Sequence, residues 1–239
     1  MIINADSRHF KDLNEEIHSA QENEIIVDNC IGQRFVASGI TGKNITINGT
    51  PGNALGAYLN GAILTINGNA QDATGDTMND GKIIIHGNSG DATGYAMRGG
   101  EILVEGSVGY RGGIHMKAYK DKIPAVVIGE TAGSFLGEYQ AGGYIIVLNT
   151  KGEEIPVGNF CGTGMHGGKI FLKCEKLPQN LPPQVLASKA TAEDMAEIES
   201  YISEFCREFN KDESDIKSGT FYVLTPNTKN PYKALYTAN

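Results

Sequence analysis

A chain of 239 residues, 40% hydrophobic with both charge signs well represented, fits one sizeable globular domain or two small ones. Its formal net charge of −8, with no cluster of five or more Lys and Arg, argues against nucleic acid and anionic membranes as partners. Glycine is the outlier: 31 residues is roughly twice the usual share of about 7%.

The N-terminus, MIINADSRHFKDLNEE, has neither the cationic n-region nor the apolar h-region of a signal peptide. No apolar run approaches the roughly 18 residues of a membrane span. A cytoplasmic location is therefore expected. Cys30, Cys161, Cys174 and Cys206 show no CxxC or other ligand spacing and read as free thiols. In SRHFKDLNEEIHSA, Phe10, Leu13 and Ile17 recur at helical steps, with Ser7 as the expected N-cap.

A repeat follows. Short apolar segments close on a small residue at Asn29, Gly49, Gly68, Gly87, Gly106, Gly129, Asn149 and Cys174, in steps of 20, 19, 19, 19, 23, 20 and 25. Segments of four to six Ile-, Val- and Leu-rich residues separated by glycine predict strands, because glycine would melt a helix. A period near 20 with one strand per copy predicts an all-β fold. The form expected is a right-handed, single-stranded parallel β-helix of about 20 residues per coil, with short helical elements at its two ends. Leu64, Ile83, Ile102, Ile145 and Ile170 form one column, and Ile66, Ile85, Val104, Val147 and Leu172 another on the same face. The column between them, Thr65, Ile84, Leu103, Ile146 and Phe171, is too apolar for a solvated face, so a cover is expected there. Gly75, Gly94, Gly113, Gly137 and Gly162 fall at equivalent corners, and Gly81, Gly100, Gly143 and Gly168 follow six residues later in four copies. These nine are expected to be structural turn glycines, since positive φ is cheap only for glycine.

Beyond the proline-rich KLPQNLPPQ, TAEDMAEIESYISEFCREFN predicts a strong helix with a Thr191/Asp194 capping box. Its stripe of Met195, Ile198, Ile202, Phe205 and Phe209 suits core packing. TFYVLTP predicts a last strand and an irregular tail. The expected division is a lead-in over 1–22, the β-helix over 23–175, and a C-terminal helix and tail over 176–239.

The residues offer little chemistry. Asp72 and Asp91 recur in DATG and suit Asx turns better than Ca²⁺ ligation. His86, His115 and His166 lie in different copies without metal-ligand spacing. A Cys161/His166 pair lacks an orienting third group, and Ser134 lacks the GxSxG setting of a nucleophile. The glycine-rich stretches are not followed by a helix or by GK[ST], which weakens a phosphate-loop reading. Arg98 and Arg111 look scattered, unlike the gathered charges of carbohydrate-cleaving β-helices. No catalytic, cofactor-binding or metal-binding residue is expected in this chain.

The stretches GNAQDATGDTMNDGKIIIHG, GDATGYAMRGGEILVEG, GEYQAGGYIIVLN and VGNFCGTGMHGGKIF are similar to the GXGXG domain of the glutamate synthase large (alpha) subunit. IINADSRHFKDLNEEI resembles its lead-in and TPNTKNPYKALY, more loosely, its closing segment. The resemblance implies a non-catalytic part, a stand-alone subunit or domain that holds glutaminase-type and synthase-type parts together and helps frame the ammonia path. FMN and an iron–sulfur cluster would then reside on partner chains. A homo-oligomer stays open. A GXGXG-repeat subunit of a formylmethanofuran dehydrogenase-like complex shares the pattern, and a solenoid that binds a small ligand or polysaccharide is the alternative of a different class.

Overall fold

The computed structural model describes residues 1–227. Strand β1 (Ile2–Asn4) and helix α1 (Phe10–Ser19) precede β2 (Glu24–Ile31), β3 (Asn44–Thr50), β4 (Asn60–Asn67), β5 (Asp80–Ile85), β6 (Glu101–Val104), β7 (Ala125–Ile128), β8 (Ala141–Val147) and β9 (Gly167–Lys173). Then come β10 (Val185–Lys189), α2 (Ala192–Phe209), α3 (Glu213–Lys217) and β11 (Phe221–Pro226).

Among the described residues all the strands belong to one eleven-stranded sheet, ordered β1 through β9 and then β11 and β10. Pairing is parallel from β1 to β9 and antiparallel across β9–β11–β10. This corrects the expected fold class. The described residues form not the all-β, right-handed single-stranded parallel β-helix read from the repeat, but a mixed, mostly parallel sheet with three helices. The reason lies in the C-terminal segment, which reverses direction, pairs antiparallel with β9 and shields its open edge. Strands β1 and β10 and helix α3 were not anticipated.

The repeat nevertheless sets the register. Leu64, Ile83, Ile102, Val126, Ile145 and Ile170 are successive partners, as are Ile66, Ile85, Val104, Ile128, Val147 and Leu172. All twelve are buried in one core. A second row of parallel bridges joins Ala70, Ser89, Val108, Ala132 and Val157.

The outward column finds its cover within the chain. Ile84, Leu103, Val127, Ile146 and Phe171 pack against Ile198, Ile202, Phe205 and Phe209 of α2. Lys169 ties the helix down through Asp194 at 2.9 Å and Glu197 at 2.7 Å. Helix α2 opens on the expected capping box: Thr191 accepts from the Asp194 backbone N–H and Asp194 from that of Thr191. Over β2–β4 the same column reads Ile26, Thr46 and Thr65, and Ile26 is exposed. At the other end, Leu13 and Ile17 of α1 are fully buried against the first strands. Its N-cap is His9, whose Nδ1 accepts from Lys11 N–H, and not Ser7, which has φ +57°.

Candidate functional site: the glycine turns and their exposed ridge

Each repeat enters its next strand through a turn with three alternating left-handed residues. The sets are Phe35/Ala37/Gly39, Ala54/Gly56/Tyr58, Ala73/Gly75/Thr77, Ala92/Gly94/Ala96, Arg111/Gly113/His115, Phe135/Gly137/Tyr139 and Phe160/Gly162/Gly164, with φ from +51° to +73°. Glycine occupies the middle position in six of the seven because that position faces the core. A Cβ on Gly94 would sit 2.9 Å from Val126 Cγ2 and 3.0 Å from Met97 Sδ. The flanking positions carry Phe, Tyr, His, Arg, Thr and Ala as well as glycine, several of them exposed. The nine expected turn glycines all have positive φ, from +64° at Gly113 to +97° at Gly81. The sequence reading failed to anticipate the non-glycine residues that share this conformation, since it reserved positive φ for glycine.

Hydrogen bonding holds the turns in this shape. In the second set, Ala54 N–H donates forward to Asp72 O, Gly56 N–H back to Val36 O, and Tyr58 N–H forward to Asp76 O. The pattern recurs up the stack, so these amides are consumed by neighbouring repeats. Side chains add a ladder: Asp72 accepts from Asp91 N–H at 2.9 Å and Asp91 from Tyr110 N–H at 2.7 Å. Asp72 and Asp91 thus tie one repeat to the next, rather than closing the local Asx turns expected of them. Ser134 does the same for Asn159 N–H at 3.0 Å.

The left-handed flanking positions of successive turns form a ridge with exposed rings toward its two ends and Ala73, Thr77, Ala92 and Ala96 between them. Phe35 (45% exposed), Tyr58 (56%), Tyr139 (48%) and Phe160 (51%) lie on it, where backbone strain of about 1–2 kcal/mol per residue accompanies side chains that bury little. His115 stacks on Tyr139 at 5.2 Å and meets Tyr95 edge-on at 5.8 Å, while Phe135 stacks on Phe160 at 5.0 Å. Arg111 lies over Phe135 and pairs with Glu138 at 3.2 Å.

The long step between Gly106 and Gly129 inserts a hairpin beside the ridge. Tyr119 and Lys122 exchange two backbone hydrogen bonds of 3.1 Å, and Lys122 pairs with Asp80 at 2.8 Å. That lysine's hydrogen bond holds the Asp80 carboxyl below the usual carboxylate range. Arg98 lies 5.9 Å and Lys120 5.3 Å from the Tyr119 ring centre. Arg98, scattered in sequence, is thereby gathered with Lys117 and Lys120, whereas Arg111 stays with Glu138.

The other candidates disperse. His86 packs edge-on against Phe209 at 5.1 Å, and His166 Nδ1 lies 3.1 Å from Gly164 O. Among the described residues, no three His, Cys, Asp or Glu side chains are placed to hold a metal ion. All four thiols are buried. Burial pushes Cys161 up to about 12 and Cys30 and Cys174 to about 11. Such dispersed, protonated thiols do not fit an iron–sulfur ligand set. The native protein is therefore expected to resist Ellman's reagent at pH 8 and to titrate all four thiols in denaturant. Rapid labelling of the folded chain would contradict this packing.

A groove of about 940 Å³ lies away from the ridge, and its lysines are engaged: Lys151 with Glu130, Lys211 with Glu105, and Lys173 with Asp215 O. No helix among the described residues is long and apolar enough to cross a membrane.

Comparison with known proteins places these turns in a family. The profile of the GXGXG motif family matches residues 13–221, and the chain belongs to that family, whose domain is found in the glutamate synthase large subunit. The chain is 46% identical to the uncharacterized protein MJ1350 of Methanocaldococcus jannaschii over 252 aligned residues, which cover 99% of this chain and 96% of that protein. It is also similar to a chain of the formyltransferase/hydrolase complex of Methylorubrum extorquens, solved with methylofuran. That likeness has a TM-score of 0.66 and 20% identity over 84% of this chain and 72% of the other, and is one of fold.

Proposed function

We propose that this chain is a non-catalytic subunit of a multi-subunit complex, and that its aromatic ridge docks a catalytic partner. The observation that carries the reading is the ridge itself: bulky rings held exposed in left-handed turns, where a surface without a partner would favour glycine or asparagine. Exposed Tyr, Phe and Arg are the residues that anchor interfaces.

Between the two kinds of complex with GXGXG parts, the fold favours one that handles formyl groups, since the chain resembles a subunit-sized piece of a formyltransferase/hydrolase complex. A glutamate synthase-type complex is the second reading, supported by the family's domain in that enzyme. In that reading FMN and the iron–sulfur cluster belong to the partners, and this chain frames the ammonia path between a glutaminase part and a synthase part.

Purification of the tagged protein from its native cells under mild salt, with mass spectrometry of what accompanies it, tests the proposal. Stoichiometric recovery of enzyme chains is the expected result. Their chemistry, formyl transfer or glutamine hydrolysis with a flavin chain, decides between the readings. A chain recovered alone overturns the proposal and leaves direct binding of a small ligand or polysaccharide as the reading to pursue.

A further inference from the structure

We infer that the hairpin at 117–122, together with Arg98, is a recognition point for an acidic segment of a partner protein. This rests on the reading of the ridge as a docking face and adds the chemistry of what docks there. The chain carries 28 acidic against 20 basic residues, so several unpaired basic side chains gathered at one place stand out. Many described lysines and arginines pair with a carboxylate, Arg8, Lys82, Arg111, Lys169 and Lys217 among them. Arg98, Lys117 and Lys120 are exposed, and no ion pair engages any of them among the described residues.

These three cations come from two consecutive repeats, Arg98 from one and Lys117 and Lys120 from the next, and converge around Tyr119. A groove of about 660 Å³, lined by Tyr58, Asn60, Asn79, Arg98, Tyr119 and Lys120 among others, lies against the hairpin. Another of about 320 Å³, with His115 and Lys117 in its wall, shares Arg98 and Tyr119 with it. Asp121 at the hairpin tip is the one carboxylate that lines either groove. Two open grooves meeting at one arginine form a track suited to an extended chain bearing several carboxylates.

The backbone argues against a compact phosphate. Phosphate sites in turns use free amide N–H groups. Here Ala96 N–H donates to Ile114 O and Arg98 N–H to Met78 O, each at 2.8 Å, and Lys117 N–H donates to Met97 O at 2.9 Å. At these three positions recognition therefore falls to the side chains. The hairpin is also held in place, by its own backbone pair and by Lys122–Asp80, so little ordering is needed on binding.

Fluorescence anisotropy with a labelled oligo-aspartate peptide, using the full chain, tests this inference. The wild type is expected to bind it, with affinity falling at least about tenfold between about 50 and 200 mM salt. The exposed triple variant R98E/K117E/K120E is expected to lose binding without a change in melting temperature. Pyrophosphate at equal charge is expected to compete poorly. Undiminished binding by the triple variant, absence of wild-type binding, or efficient displacement by pyrophosphate would each overturn the inference. Failure here together with partner recovery in the tagged purification would leave the docking reading intact and remove only its charge recognition.

Discussion

Gly94→Val is expected to destabilise the protein by about 2–5 kcal/mol. Two effects add. Residue 94 sits at φ +73°, where an L side chain costs about 1–2 kcal/mol and a β-branched one is worst placed. The new Cβ would also press on Val126 Cγ2 at 2.9 Å and Met97 Sδ at 3.0 Å, and overpacking adds about 1–3 kcal/mol. For a chain of this length the melting temperature falls by roughly 2–4 °C per kcal/mol. Ala96→Gly is the control. Its φ of +51° is also left-handed, so relief of about 1–2 kcal/mol of backbone strain, set against the greater unfolded-state entropy of glycine, should leave that change neutral to mildly stabilising. Equal melting temperatures for Gly94→Val and wild type would contradict the inward placement of the middle turn position.

Phe205→Ala is expected to cost about 3–5 kcal/mol. The ring is fully buried, lies 4.7 Å from Phe209 and belongs to the cluster that seals Leu103, Val127 and Ile146. Losing it leaves a cavity on the outward face, which the strands cannot close because their register is fixed by pairing on both sides. Urea denaturation reads the effect as a lower midpoint. A midpoint within experimental error of wild type would mean that α2 rests on the sheet without stabilising it.

Much of this architecture was legible in the sequence, because one physical demand repeated in register. Branched apolar residues at steps near 19 located β2 to β9, and the apolar outward column required a cover that Ile198, Ile202 and Phe205 supply. The fold class was misread because periodicity reports only the repeating part. The antiparallel pair of Val185–Lys189 with Phe221–Pro226 lies outside the period and depends on a chain reversal that no local signal announces. The ridge was partly hidden for a different reason. Glycine marks the inward turn position, but Phe35, Tyr58 and Phe160 hold the same backbone conformation without a compositional signature. The cation cluster was invisible because Arg98 and Lys117 stand about one repeat apart and meet only when the repeats stack. The closing segment that resembles the family's tail lies, from residue 228 onward, outside the described residues.

The measurement that reaches the central claim most directly is the tagged purification run in parallel on wild type and on Tyr58→Asn/Tyr139→Asn. Asparagine tolerates the left-handed backbone well, so the fold and melting temperature should hold while two exposed rings are removed. If the ridge docks a catalytic partner, recovery of that partner should fall at least about tenfold, equivalent to about 1.4 kcal/mol or more of binding free energy. Full recovery by a stably folded double variant would contradict the assignment of the ridge as the docking face.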